Sequence, residues 1–158
     1  VGAKPKTEPK LLEIGKAEVI HDGDDVALVS LGHMIDVAEA AREQLVRQGY
    51  SVALVNARWI KPLDSGLLQK YAAKCKVLCT FEDHVLPNGF GAAVIETLHT
   101  AGFLSTPVER IGWPDAFIDH GKVSILREKH GITPEAAVAK CLRHLSRIPA
   151  PETAAVLA

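Results

Sequence analysis

The chain has 158 residues, with 18 Lys plus Arg against 19 Asp plus Glu, for a formal charge of −1. Its 47% apolar and 23% charged residues are ordinary globular usage. This balance argues against a nucleic-acid-binding domain and against wholesale disorder, and no apolar run approaches the ~18 residues of a membrane span.

Residues 1–11, with Lys4, Pro5, Lys6, Pro9 and Lys10, read as a linker rather than a signal peptide, because they hold no apolar core. A chain that opens on a linker, and on Val rather than Met, is expected to be part of something longer. A strand is predicted over about 16–20. The turn string His21-Asp22-Gly23-Asp24-Asp25 follows and, read locally, lays that strand beside the next one. Four short Val- or Leu-rich runs, 26–31, 52–55, 77–81 and 108–111, suit strands buried on both faces. Their spacing is that of βαβ units.

Helical periodicity fills the intervals. Met34, Val37, Ala38, Ala41 and Leu45 make one stripe. Leu67, Leu68, Tyr71, Ala72 and Cys75 make a second, with Asp64 or Ser65 as N-cap, and Gly91, Val94, Ile95 and Leu98 make a third. A short helix is predicted over 123–129. A last one is capped by Thr133, takes Pro134 in its first turn, and carries Val138, Cys141, Leu142 and Leu145. Gly49, Gly102 and Gly131 stand where helices should stop. The expected fold is a three-layer α/β/α domain over 12–147, with a mostly parallel sheet and one antiparallel strand, followed by a flexible tail over 148–158.

Ligands of open α/β sheets gather beyond the carboxyl ends of the parallel strands. Those ends carry Gly32-His33, Asn56-Ala57-Arg58, Glu82-Asp83-His84, and Gly112-Trp113-Pro114-Asp115 with Asp119-His120 beyond. His33, Arg58, Glu82, Asp83, His84, Asp115 and His120 therefore form a candidate ligand or interface edge, suited to anion binding or subunit contact. Asn88-Gly89-Phe90-Gly91 enters a helix and could offer backbone N–H groups to an anion. Glu82, Asp83 and His84 read more simply as loop or contact residues, Arg58 as a surface residue paired with a neighbour, and Asp64 as a cap. No dinucleotide, P-loop, nucleophile-elbow or zincin pattern occurs. Asp22-Gly23-Asp24 is not a thiamine-enzyme metal signature. Cys75, Cys79 and Cys141 lack zinc spacing and read as buried thiols.

Several strings resemble the C-terminal domain of transketolase-type enzymes. These are Glu13-Ile14-Gly15-Lys16-Ala17-Glu18-Val19, Asn56-Ala57-Arg58-Trp59-Ile60-Lys61-Pro62-Leu63-Asp64, and Phe81-Glu82-Asp83-His84-Val85 with Gly89-Phe90-Gly91-Ala92-Ala93-Val94. Ile111-Gly112-Trp113-Pro114-Asp115-Ala116-Phe117-Ile118-Asp119-His120-Gly121 is similar to a string of the 1-deoxy-D-xylulose-5-phosphate synthase family in particular. Asn56, Asp83, the Pro87-Asn88-Gly89 turn and Trp113 depart from that pattern.

The resemblance implies a five-stranded sheet in the order 1-3-2-4-5 with strand 1 antiparallel, which sets it against the local reading of the 21–25 turn. It also implies an accessory, dimer-supporting domain of a cytoplasmic homodimeric enzyme. That enzyme condenses pyruvate with glyceraldehyde 3-phosphate, releases carbon dioxide and feeds isoprenoid and thiamine synthesis. Thiamine diphosphate and Mg2+ would be held by the enzyme's N-terminal and middle domains, so the resemblance places no catalytic, cofactor or metal residue in this chain. The other readings are a partner-docking domain of a transketolase or a 2-oxoacid dehydrogenase beta subunit, and a regulatory module for a small phosphorylated ligand. None involves a membrane or nucleic acid.

Overall fold

The computed structural model describes residues 11–145. Apart from Leu11, the 1–11 linker lies outside the described residues, as does the whole 148–158 tail.

Five strands, β1 (Glu18–His21), β2 (Val26–Ser30), β3 (Val52–Asn56), β4 (Val77–Val85) and β5 (Val108–Trp113), form one sheet in the order β1-β3-β2-β4-β5. β2, β3, β4 and β5 run parallel, and β1 pairs antiparallel with β3, Glu18 opposite Asn56. Among the described residues five α-helices complete the layers: α1 (Ile35–Arg47), α2 (Ser65–Lys74), α3 (Phe90–Thr100), α4 (Val123–Lys129) and α5 (Pro134–Leu145).

Alternation along the central strands sorts the core onto the two faces of the sheet. Val26 and Leu28 of β2 face Ala38, Ala41 and Leu45 of α1 and Ala137, Cys141 and Leu145 of α5. Ala27 and Val29 face Leu68 and Tyr71 of α2 and Phe90, Val94 and Leu98 of α3. Right-handed crossovers dictate this arrangement. The step from β2 to β3 runs one way across the sheet, and the step from β3 to β4 runs back over β2, so α1 and α2 must lie on opposite faces.

The neighbour of β1 corrects the local reading of the turn. The chain does reverse at residues 21–25, but β1 lies beside β3, as the family resemblance implied. β2 has no free edge, since β3 and β4 each pair with it along its whole length. The turn instead crosses the start of β3, pinned by Asp25 N–H to the Ser51 carbonyl at 2.8 Å. Gly23 permits the crossing, because a Cβ there would come within 2.6 Å of Val52 N.

A second correction concerns β4, which runs four residues past the predicted end at Phe81. Glu82, Asp83 and His84 are thus strand residues, not loop residues. Pairing with β5 resumes beyond an irregularity at Val85 opposite Trp113, and Leu86 N–H donates to the Trp113 carbonyl at 2.9 Å. The apolar run stops before the hydrogen-bond ladder does. The helix predictions hold: Asp64 caps α2 by accepting from Leu67 N–H at 3.2 Å, and Thr133 Oγ1 caps α5 by accepting from Ala136 N–H at 3.2 Å.

Candidate functional site

β2 and β4 are neighbours whose outgoing connections leave in opposite directions, so the switch point of the sheet lies beyond their carboxyl ends. A cleft of about 660 Å³ opens there, lined among others by Leu31, His33, Glu82, Asp83, Phe90 and Lys61.

Glu82 is fully buried at this switch point. Its carboxylate accepts from Phe90 N–H at 2.6 Å and from Gly91 N–H at 2.9 Å, the first two N–H groups of α3. A helix N-terminus with its positive dipole end suits a bound anion, and here the protein's own side chain is that anion. Glycines make room for it. A Cβ on Gly89 would collide with Glu82 Oε2, and one on Gly112 would lie 2.9 Å from Glu82 Cγ. The anion-receptive backbone that the Asn88-Gly89-Phe90-Gly91 string suggests is therefore real but internally satisfied.

Asp83, the next residue, points the other way and organises a second cluster. It accepts from Trp113 Nε1–H at 2.6 Å, and its Oδ2 lies 2.9 Å from His33 Nε2 and 3.2 Å from an Arg127 terminal nitrogen. Partial burial alone would push this carboxyl up. The Trp113 hydrogen bond and the Arg127 and His33 charges outweigh burial and hold it below the usual carboxylate range. Arg127 also approaches His33 Nε2 at 2.6 Å. That nitrogen serves one neighbour at a time: protonated, it donates to Asp83, and unprotonated, it accepts from Arg127. Trp113 stacks edge-on against His130, with centroids 5.8 Å apart. The cluster ties the short turn at Gly32–Met34, β4, β5 and α4 together across the carboxyl edge.

The other candidates lie apart. Arg58 occupies the left-handed region at φ 58° and pairs with Glu18 of β1 at 2.6 Å, at the far side of the sheet edge. The exposed His84 keeps Nδ1 2.9 Å from the carbonyl of Val85. Asp115 and His120 are exposed on the segment between β5 and α4. Sequence reasoning missed Arg127. It reads as one more charge on a short helix, and its role appears only when β4 and α4 meet 44 positions apart.

The chemistry these residues support is contact and ordering. Among the described residues no three His, Cys, Asp or Glu converge as a metal site. The N–H pair best placed for a diphosphate is held by Glu82, so the edge does not fit thiamine diphosphate with Mg2+. The three cysteines are free and buried. Burial pushes the Cys75 thiol up to about 12, which keeps it protonated and unreactive.

Residues 15–137 match the family model described as "Transketolase, C-terminal domain". Among curated proteins, the chain is 51% identical over 146 residues to the 1-deoxy-D-xylulose-5-phosphate synthase of Acidobacterium capsulatum, covering 92% of this chain and 23% of the relative. It is 48% identical to the synthase of the same name from Methylacidiphilum infernorum over 91% of this chain, again 23% of the relative. Among solved structures it resembles a split-gene transketolase, an inactive beta4 tetramer, with a TM-score of 0.80 and 31% identity, over 92% of this chain and 47% of the other. The chain thus spans about a quarter of the length of the curated relatives it matches.

Proposed function

The chain belongs to the transketolase C-terminal domain family, and from that premise we propose that it is the accessory third domain of a thiamine diphosphate-dependent 1-deoxy-D-xylulose-5-phosphate synthase. The observation that carries this reading is the 51% identity over 92% of the chain to a synthase of that name. In the complete enzyme, pyruvate and glyceraldehyde 3-phosphate are condensed with release of carbon dioxide, as a step toward isoprenoids and thiamine. Bound thiamine diphosphate, with Mg2+, supplies the carbanion chemistry. Its binding residues belong to the N-terminal and middle domains, the partners of this one within a cytoplasmic homodimer.

This chain contributes no reacting group. Its own part is to present an ordered carboxyl edge: Glu82 fixes the start of α3, and Asp83 holds His33, Trp113 and Arg127 in place. Two assays test the reading. The longer protein should release carbon dioxide from pyruvate in a glyceraldehyde 3-phosphate-dependent manner. The isolated chain should neither turn over pyruvate nor take up thiamine diphosphate in a calorimetric titration. Turnover of pyruvate by the purified chain alone would overturn it.

A further inference from the structure

The exposed large apolar side chains are not spread evenly. Among the described residues they are Leu11, Leu12, Ile14, Val19, Ile20, Val46, Ile60, Leu104, Phe117, Val123 and Ile125. Val46, in the last turn of α1, and Leu104, just before β5, lie at the amino edge of the sheet, and Val19 and Ile20 lie on the outer strand β1. The other seven lie on segments that meet the carboxyl edge. Ile60 follows the end of β3. Phe117, Val123 and Ile125 lie on the segment and helix that follow β5. Leu11, Leu12 and Ile14 precede β1, which runs antiparallel and so begins at that same edge, Glu18 opposite Asn56. Gly15 meets Pro62 there, and Ala17 N–H donates to Asp64 at 3.2 Å.

Phe117 is 95% exposed, and α4 buries none of its residues. Arg127 nevertheless clamps α4 to Asp83, and Leu126 is half-buried, so this helix is held to the domain while its Val123 and Ile125 side chains stay exposed. Isolated apolar residues on a surface are ordinary, but Phe117, Val123 and Ile125 exposed within nine residues of one segment point to an interface. Gly15 and Ala17, which lead into β1, lie at this edge as well. Since the matched family is a C-terminal domain and the chain spans about a quarter of its curated relatives, most of those relatives' length precedes the matched segment.

We propose that the carboxyl edge, through Phe117, Val123, Ile125 and Ile60, is the docking surface for the domains that precede this one in the enzyme. The proposal rests on the reading of this chain as the third domain of a longer protein. It makes the edge a protein interface rather than a small-molecule site, consistent with the internal saturation of the α3 N-terminus by Glu82.

The test is photo-crosslinking in the native polypeptide, with benzoylphenylalanine in place of Phe117 and, in a parallel control, of Leu104. Both positions are exposed, so neither probe disturbs the core. Crosslinked peptides are identified by mass spectrometry. The expected result is links from position 117 to residues that precede this chain, at least tenfold above those from position 104. Links confined to this chain, in the same or a second copy, or yields no greater than the control, would overturn the proposal. A synthase assay on the same preparation separates the two claims. Activity without such links sinks the surface and leaves the functional reading; links in a protein without synthase activity do the reverse.

Discussion

Glu82 and Phe90 are joined by a 2.6 Å hydrogen bond from the first N–H of α3 to a carboxylate buried at the sheet's switch point. The strand end and the helix start are thereby locked to each other, in the place where many α/β folds receive a phosphate. Glu82→Gln keeps the shape, but it sets an amide N–H2 against one of two N–H donors. Hydrogen bonds to charged groups contribute about 1.5–3 kcal/mol, and a loss of that order is expected in the unfolding free energy of the chain, read as a lower urea midpoint. An unchanged midpoint would show that the carboxylate charge is dispensable.

Glycine substitutions should give effects of opposite sign. A Cβ on Gly91 would lie 2.5 Å from Thr80 Oγ1 and 2.7 Å from Arg110 Cδ, so Gly91→Ala forces strand and helix apart. Overpacking of this kind costs roughly 1–3 kcal/mol. Gly66 in the first turn of α2 faces open space, its nearest neighbour being Asp64 Oδ1 at 3.9 Å. Gly66→Ala should stabilise by about 0.4–1 kcal/mol by restricting the unfolded chain. Thermal unfolding of the two variants beside the parent measures both, and equal shifts would contradict the stated packing.

The Asp83 cluster predicts a pH signature. A carboxyl whose pKa is depressed in the folded state adds stability that is complete above its unfolded value, near 3.9. That stability is lost as pH falls through the lower folded value. Asp83→Asn should therefore be less stable than the parent at pH 7, with the gap narrowing steadily once the pH drops below about 4. Urea titrations at pH 7, 5 and 3, followed by far-UV circular dichroism, read this directly. A gap that stays constant down to pH 3 would mean that the carboxylate is not held by Trp113 and Arg127.

Much of this architecture is legible in the sequence, because short apolar runs and helical stripes carry it. The runs at 26–31 and 52–55 and the helical stripes give the order of strands and helices, and Asp64, Thr133 and Pro134 announce their helices. What escapes is whatever depends on tertiary pairing. The end of β4 is hidden because charged residues extend a ladder whose apolar run has stopped. Glu82 reads as a loop or contact residue, since nothing local shows that α3 will bring two N–H groups onto it. The rule that strand ends share an edge puts His33 and Asp83 on the same edge without pairing them, whereas Arg127 joins them only through the return of α4. The neighbour of β1 is likewise a property of the whole sheet, and the family resemblance supplied it where the turn did not.

Tyr71 offers a check at the opposite end of the pH scale and at the opposite edge of the sheet. Its ring is fully buried under α2, and its hydroxyl donates to Asp22 at 3.0 Å. Lys74 binds the same Asp22 oxygen at 2.8 Å and stands 5.0 Å over the Tyr71 ring. The Lys74 hydrogen bond holds the Asp22 carboxyl well below its usual range, so Asp22 stays a full anion facing the phenol. Burial and that anion together push the Tyr71 phenol up to about 12. A group that holds its proton more tightly when folded adds stability that is complete below its unfolded pKa, near 10. That stability drains away as pH rises through the folded value, so the window is about pH 10 to 12. In an absorbance titration at 295 nm, Tyr71 should remain silent until about pH 12 or until the domain unfolds. Tyr71→Phe should remove the late transition, cost about 1 kcal/mol at pH 7 for the lost hydrogen bond, and flatten the decline of stability between pH 10 and 12. A transition near pH 10 in the folded chain that Tyr71→Phe removes would show that the Asp22 hydrogen bond does not form.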